Sequence, residues 1–232
     1  MSGRKRLAII QSSYIPWKGY FDAIATVDEF ILLDDAQYTK RDWRNRNRIK
    51  PPSGPQWLTI PVQVKGRFEQ RIDETLIADP SWAEKHWSTL AGVYRRAGAF
   101  DEVAAWLGPL YEAAGRHERL SLVNRALIAE ICAKLGITTP IRWSTDYGVE
   151  GTRGERILNL CLAAGADTYY SGPSAKAYMD VDAFAAAGVQ VEWLDYSGYP
   201  EYEQFGTPFE HAVSIVDLLF HTGQRAREYL KT

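Results

Sequence analysis

Two apolar runs near the start of the chain, LAII at 7–10 and EFILL at 29–33, are too short for helices and long enough for buried strands. Between them KGYFDAIATV places Tyr20, Ile24 and Val27 at helical spacing, so the unit reads strand, loop, helix, strand. Strands joined through a helix lie parallel, and the crossover is right-handed. Later segments repeat the alternation: IRWSTD, DTYYSG and VQVEWLDY read as strands, TRGERILNLCLAAGA and VDAFAAAG as helices. A helical middle interrupts the pattern with SWAEKHWSTLAGVYRRA, opening on Ser81 as N-cap, then DEVAAWLGPLYEAA and ERLSLVNRALIAEICAKLGI, which closes on Gly136. WRNRNRIK and WLTIPVQV read as extended segments separated by the turn-rich PPSGPQ, and HAVSIVDLLFHTG as an amphipathic C-terminal helix. The expectation is one α/β domain over residues 1–232, a parallel sheet with flanking helices and a helical insertion at about 80–136.

Composition closes off several function classes. A net charge of −2 gives no global field for nucleic acid or an anionic membrane. Cys132 and Cys161 sit in apolar helical patterns and read as reduced core thiols. The histidines (His86, His117, His211, His221) have no metal spacing, so no metal site is expected. The basic start precedes an apolar run too short for a signal peptide, and no run approaches the ~20 apolar residues of a membrane span. A cytoplasmic protein without a membrane partner is expected.

Five stretches carry candidate chemistry. In open parallel sheets ligands bind beyond the carboxyl ends of strands, and QSSYIPWKGY lies at such an end. Gln11, Tyr14, Pro16, Trp17, Gly19 and Tyr20 are candidates there, with Gly19 allowing close backbone approach and the following helix N-terminus suited to phosphate. An ordinary strand-to-helix turn packed by Trp17 and Tyr20 is the structural alternative. ILLDDAQY ends the second strand with Asp34 and Asp35, followed by Tyr38. Side-chain alternation lets only one of the two carboxylates point into a given site, as base, orienting group or Mg²⁺ ligand. In WRNRNRIK, Arg44, Arg46 and Arg48 line one face and Asn45 and Asn47 the other. The arginines suit an anion, and asparagines in a strand point to hydrogen-bonding duty. The alternatives are a charged edge strand or a patch touching RNA. SGPSAKAY follows another strand, so Ser171, Gly172, Ser174, Lys176 and Tyr178 sit at the same edge, with Lys176 as a point charge; it matches neither a Walker loop nor GxSxG. YSGYPEYEQFGTPF reads as a binding loop with Tyr199, Tyr202 and Gln204 as contacts, or as a packed surface loop.

Taken in order and spacing, IIQSSYIPWKGYFDAI, DEFILLDDAQYTKRDWRNRNRIK, WLTIPV, TYYSGPSAKAYMD and YPEYEQF resemble the WbqC-like family across nearly the whole chain. One departure is QSS at 11–13, where the family pattern has Gln-Pro before the tyrosine. The resemblance implies bacterial origin, association with O-antigen and related polysaccharide gene clusters, and a tailoring role on an amino sugar or an acyl or aminoacyl donor. It brings no established catalytic residues. More distantly, the strand, P-x-x-G-Y, helix, strand opening is similar to the P-x-x-G-H opening of HIGH-type nucleotidylyltransferases and pantothenate synthetase. That similarity implies a nucleotide-binding, Rossmann-like (HUP) fold, with Tyr20 in place of the second histidine.

The functional expectation is an enzyme transferring an acyl or aminoacyl group to an amine of an amino sugar or sugar nucleotide. The arginine strand and the SGPSAK loop would hold the anionic donor, and Asp34 or Asp35, with Lys176, would act in catalysis. No cofactor is specified, a nucleotide with Mg²⁺ being the one the pocket reading accommodates. The rivals are an ATP-dependent ligase or nucleotidyltransferase and a non-catalytic ligand- or RNA-binding module.

Overall fold

The first strand–helix–strand unit forms as its apolar spacing requires. In the computed structural model, which describes residues 4–232 with the Arg153 side chain excepted, β1 (Arg6–Ile10) runs parallel to β2 (Glu29–Leu32), and α1 (Lys18–Thr26) crosses between them. The basic start begins at residues 1–3, outside the described residues. β5 (Ile141–Trp143), β6 (Thr168–Ser171) and β7 (Gln190–Trp193) complete a five-stranded parallel sheet in the order β5-β2-β1-β6-β7. α5 (Arg153–Ala163) leads into β6 and α6 (Val181–Ala186) into β7. This is an α/β, Rossmann- or HUP-like arrangement.

Period-2 alternation divides the apolar strand residues between two cores. Leu7, Ile9 and Ile31 join Leu160, Cys161, Phe184 and Val189 under α5 and α6. Ala8, Phe30 and Leu32 face the other way, into the larger core with Ile24 and the helices that follow the hairpin. Both faces are covered, which is why the strands read as continuous apolar runs. Each fully buried Leu, Ile or Phe contributes about 1.5–3 kcal/mol.

Between β2 and β5 the chain makes an antiparallel hairpin, β3 (Arg46–Ile49) and β4 (Gln56–Thr59), and three helices, α2 (Trp82–Tyr94), α3 (Phe100–Ala114) and α4 (Leu120–Lys134). α4 ends where Gly136 takes φ +68° and the Ile137 N–H returns to the Cys132 carbonyl at 2.8 Å. The last helix is α7 (Ile215–Thr222). Two local expectations differ. The strand read over IRWSTD stops at Trp143, because the Asp146 carboxylate accepts the Trp143 N–H at 3.0 Å and rolls the chain into a 3₁₀ turn. The Ser81 hydroxyl does not cap α2; it donates to Asp79 at 2.6 Å.

The hairpin has two unlike faces. Asn45, Asn47 and Ile49 are buried, and the asparagines do carry hydrogen bonds, to backbone. Asn47 Nδ2 donates to the carbonyls of Tyr14 at 3.1 Å and Ile15 at 2.9 Å, and Asn45 Nδ2 to Ile60 at 2.8 Å. The Tyr14 N–H donates to the Trp43 carbonyl at 3.0 Å. From the other side the Ser214 hydroxyl donates to the Ile15 carbonyl at 2.7 Å and the Ile215 N–H to that of Pro16 at 2.9 Å. Ile15 sits at φ +35°, costly for a β-branched residue, and these bonds hold it there. Asn47→Ala leaves the Tyr14 carbonyl unpaired and weakens the hold on Ile15, so it is expected to lower stability by about 2–3 kcal/mol. Urea unfolding followed by tryptophan fluorescence measures this, and a loss below about 0.5 kcal/mol would show that the loop does not depend on Asn47.

Candidate functional site

The order of the sheet reverses at β1, and the chain leaves β1 and β6 at the same edge. The ladder pairs Ala8 with Tyr170 and Ile10 with Leu32, so Gln11, Gly172 and Asp34 lie beyond neighbouring strand ends. A crevice of this kind is where open parallel sheets bind ligands.

Ser12 is the hub of the crevice. Its N–H donates to Asp34 Oδ1 at 2.7 Å, and its hydroxyl accepts from Asn124 Nδ2 at 3.0 Å. Arg44 Nη1 donates to the carbonyls of Gln11 and Ser12, each at 2.9 Å, and the Tyr20 hydroxyl reaches the Gln11 carbonyl at 3.1 Å. Asn124 also donates to the Arg44 carbonyl at 2.9 Å, tying α4 to the hairpin and the β1 loop. Asp34 is 1% exposed and Asn124 0%. Each keeps one buried oxygen, Asp34 Oδ2 and Asn124 Oδ1, with no hydrogen-bond partner among the described residues. Burial pushes the Asp34 carboxyl up to about 6, against the pull of the Ser12 hydrogen bonds and the Arg44 charge.

Alternation separates the two adjacent carboxylates. Asp35 turns away from Ser12, pairs with Arg156 and accepts from the Ser144 hydroxyl at 2.7 Å. Its oxygens are occupied, which leaves Asp34 as the carboxylate of the crevice. On the β6 side Ser171 is buried, Pro173–Ala177 forms a 3₁₀ turn, and Ser174 and Lys176 are exposed. Lys176 Nζ lies 5.4 Å from the centre of the Trp193 ring, and Tyr178 is 78% exposed.

Other residues singled out in the sequence lie elsewhere. Tyr14 is buried behind the loop, its hydroxyl 2.7 Å from both His86 Nδ1 and Tyr111 Oη. Gly19 admits the Trp17 indole, which a Cβ there would meet at 2.3 Å. Trp17 packs edge-on to Tyr196 and Tyr199, so the start of α1 is covered by side chains of this chain. The Pro16 carbonyl is taken by Ile215. Tyr38 donates to Asn45 Oδ1 at 3.0 Å. The three arginines share a face without converging: Arg44 clamps the β1 loop, Arg46 stacks on Trp57, and Arg48 donates to the Ala212 carbonyl at 3.0 Å beside Glu210. Tyr202 and Gln204 both donate to Asp217 Oδ2, at 2.7 and 2.6 Å, on the first turn of α7.

Three residues escaped the sequence reading: Ser12, Asn124 and Lys18. Asn124 was signalled by a polar residue inside the apolar stripe of α4, which buries Leu120, Val123, Leu127, Ile128 and Ile131. Lys18 is 4% exposed, donates to the Pro200 carbonyl at 2.6 Å and faces the rings of Tyr199, Tyr202 and Phe209 at 5.1–5.9 Å. Burial lowers its ammonium to about 8. A cleft of about 560 Å³ lies away from the strand ends, lined by residues including Arg95, Phe100, Glu102, His221 and Arg225. The unpartnered buried oxygens, by contrast, lie beside Ser12 at the strand ends. Among the described residues no group of three or more His, Cys, Asp or Glu is placed to hold a metal ion, and no helix is long and apolar enough to cross a membrane.

Fold and site together define a Rossmann-like α/β protein with a buried carboxylate at the reversal point of its sheet. The chain belongs to the WbqC-like protein family, whose model matches residues 11–229. It is similar to the Mycobacterium tuberculosis (strain ATCC 25618 / H37Rv) protein Rv1507c, itself described as uncharacterized, at 54% identity over 227 residues covering 98% of each chain. No solved structure matches the chain.

Folding raises the Asp34 carboxyl above its unfolded value. Its stabilising contribution is therefore fully present below the ordinary carboxylate pKa and is lost as the pH rises through about 6. Asp34→Asn removes that loss and keeps an acceptor for the Ser12 N–H. It is expected to exceed the wild type in stability by about 2–3 kcal/mol at pH 8, with the difference gone near pH 4. Unfolding curves across that range check it; a variant less stable than wild type at pH 8 would make the carboxylate a structural anchor.

Proposed function

We propose that the protein is an enzyme that transfers an acyl or aminoacyl group to an amine, the acceptor being an amino sugar or sugar nucleotide. The observation that carries this reading is the pair of buried oxygens flanking Ser12, Asp34 Oδ2 and Asn124 Oδ1, that have no donor. Two acceptors without a donor suit a group that brings several N–H bonds, as an amine does. Asp34, raised to about 6, is ionised at neutral pH and basic enough to take a proton.

In the proposed step the amine nitrogen attacks the donor carbonyl. A C–N bond forms, the bond from that carbonyl to its leaving group breaks, and the nitrogen's proton passes to Asp34 and then to the leaving group. The Ser171–Lys176 loop supplies an exposed lysine and hydroxyl at the adjoining strand end, suited to the anionic part of the donor. Gln11, partly exposed beyond the end of β1, would orient either substrate. Positioning and electrostatics supply most of the rate. The sugar in the acceptor is part of the proposal and extends the expectation that the resemblance to the WbqC-like family carried.

Incubation with amino-sugar nucleotides and a panel of acyl-CoA and aminoacyl donors, followed by mass spectrometry, tests the reading. Asp34→Asn is expected to lower kcat by about 100-fold or more while remaining folded, and wild-type activity to rise with pH through about 6. Asp35→Asn, which loses the Arg156 ion pair, is expected to unfold more readily and to keep its turnover. Full activity in Asp34→Asn would remove Asp34 as the base, and no transfer from any donor would reject the reaction class.

A further inference from the structure

The outward face of the β3–β4 hairpin has no part in the crevice. Alternation that turns Asn45, Asn47 and Ile49 inward turns Arg46, Arg48 and Trp57 outward. Trp57 is 43% exposed and Trp43 40%, and their rings lie 5.3 Å apart with a tilt of 38°. The Arg46 guanidinium sits 4.1 Å from the centre of the Trp57 ring and that of Arg48 5.9 Å. The row continues through the Arg41 carbonyl, which accepts from Arg46, to Lys40, whose ammonium lies 5.0 Å from the centre of Phe68. Phe68 is 74% exposed.

Two acids along the row are already engaged. Asp42 accepts the Trp43 N–H at 2.7 Å and lies 3.7 Å from Arg44, and Glu210 lies 3.5 Å from Arg48. Among the described residues no carboxylate pairs with Lys40, Arg41 or Arg46. Cations alone would keep a hairpin edge soluble, and that role calls for no exposed indoles. A polyanion without rings would use the charges and leave the aromatic faces in water. Single-stranded nucleic acid offers both complements: bases that stack on aromatic side chains, and phosphates for the cations between them.

We propose that this face binds single-stranded nucleic acid, with a base stacked on Trp43, which packs beside Trp57, and phosphates paired with Lys40, Arg41 and the Arg46 guanidinium held over Trp57. The net charge of −2 does not oppose it, because the contact is local. The proposal is independent of the reaction at the crevice, and its test needs no turnover.

Fluorescence anisotropy of the full chain with a labelled single-stranded oligo(U) dodecamer, against a duplex of equal length and heparin as competitors, provides that test. Binding is expected to weaken with salt, with a slope of log K on log salt of about −2 for three neutralised phosphates. Trp43→Ala is expected to weaken it by about tenfold or more and Trp43→Phe to restore most of it. Only the backbone of Trp43 holds the β1 loop, and an unchanged thermal midpoint confirms that each variant folds. Lys40→Ala combined with Arg41→Ala is expected to flatten the slope by more than one. No binding at low salt overturns the proposal. So does binding that Trp43→Ala leaves intact and that duplex and heparin compete equally well, which would make the face a patch for polyanions.

Discussion

The carbonyl oxygens of the loop from Gln11 to Pro16 lie past the end of β1 and have no strand partner, so other parts of the chain must supply their donors. Arg44 and Tyr20 serve Gln11, Arg44 serves Ser12, Asn47 serves Tyr14 and Ile15, and Ser214 and Ile215 serve Ile15 and Pro16. The hairpin, the first helix and the last helix are thereby drawn to one point. An antiparallel hairpin next to a parallel sheet looks like an appendage, yet its inward side chains close the hydrogen-bond account of the sheet's own first loop. The grip also explains how Ile15 is kept at a positive φ. A floor fixed by so many partners places Ser12, and through it Asp34 and Asn124, with little freedom, which is the condition a reactive site needs.

Asp34 and Asp35 show how far one residue's step along the chain can divide two identical groups. Asp35 meets Arg156 and the Ser144 hydroxyl, while Asp34 is fully buried against Ser12, with the Arg44 charge nearby and one oxygen without a partner among the described residues. The first environment satisfies a carboxylate; the second disfavours its charge and pushes the carboxyl up to about 6. A fold that needed only stability would place an uncharged isostere at residue 34. Retaining a buried, half-satisfied carboxylate there costs stability at neutral pH, and that imbalance is the physical basis for a functional reading.

The order of strands and helices was legible because apolar period and length are local properties. Strand ends were less so: β5 stops where the Asp146 carboxylate captures a backbone N–H, an event invisible to periodicity. The two faces of WRNRNR were legible as faces, since alternation follows from strand geometry. What each face touches was not, because the partners are remote: Asn47 reaches back 32 residues to Ile15 and Arg48 forward 164 to Ala212. Gly19 invited the reading of close ligand approach, and the approaching group is the chain's own Trp17. Lys18 carried no local signal, because its cage of Tyr199, Tyr202 and Phe209 arrives some 180 residues later. Asn124 carried one, a polar residue in an apolar helical stripe, whose meaning depended on Ser12.

The same four-residue strand thus faces two environments with different rules. Inward, Asn47 works by neutral hydrogen bonds in a dry junction, where one missing partner is felt in the fold. Outward, the half-buried Arg46 lies over the partly exposed Trp57, where truncation leaves the inward bonds in place. Overall charge carries no information about such a face. At physiological ionic strength charges beyond about 8 Å are largely screened, so a contacting ligand meets the few cations within that range and not the sum of −2. Arg44 stands at the boundary: it shares the outward row by register, yet its guanidinium turns in to hold Gln11 and Ser12. A disturbance of the outward row therefore reaches the crevice only through the backbone at Trp43 and Arg44, where the Tyr14 N–H and the Asn124 amide already hold both carbonyls.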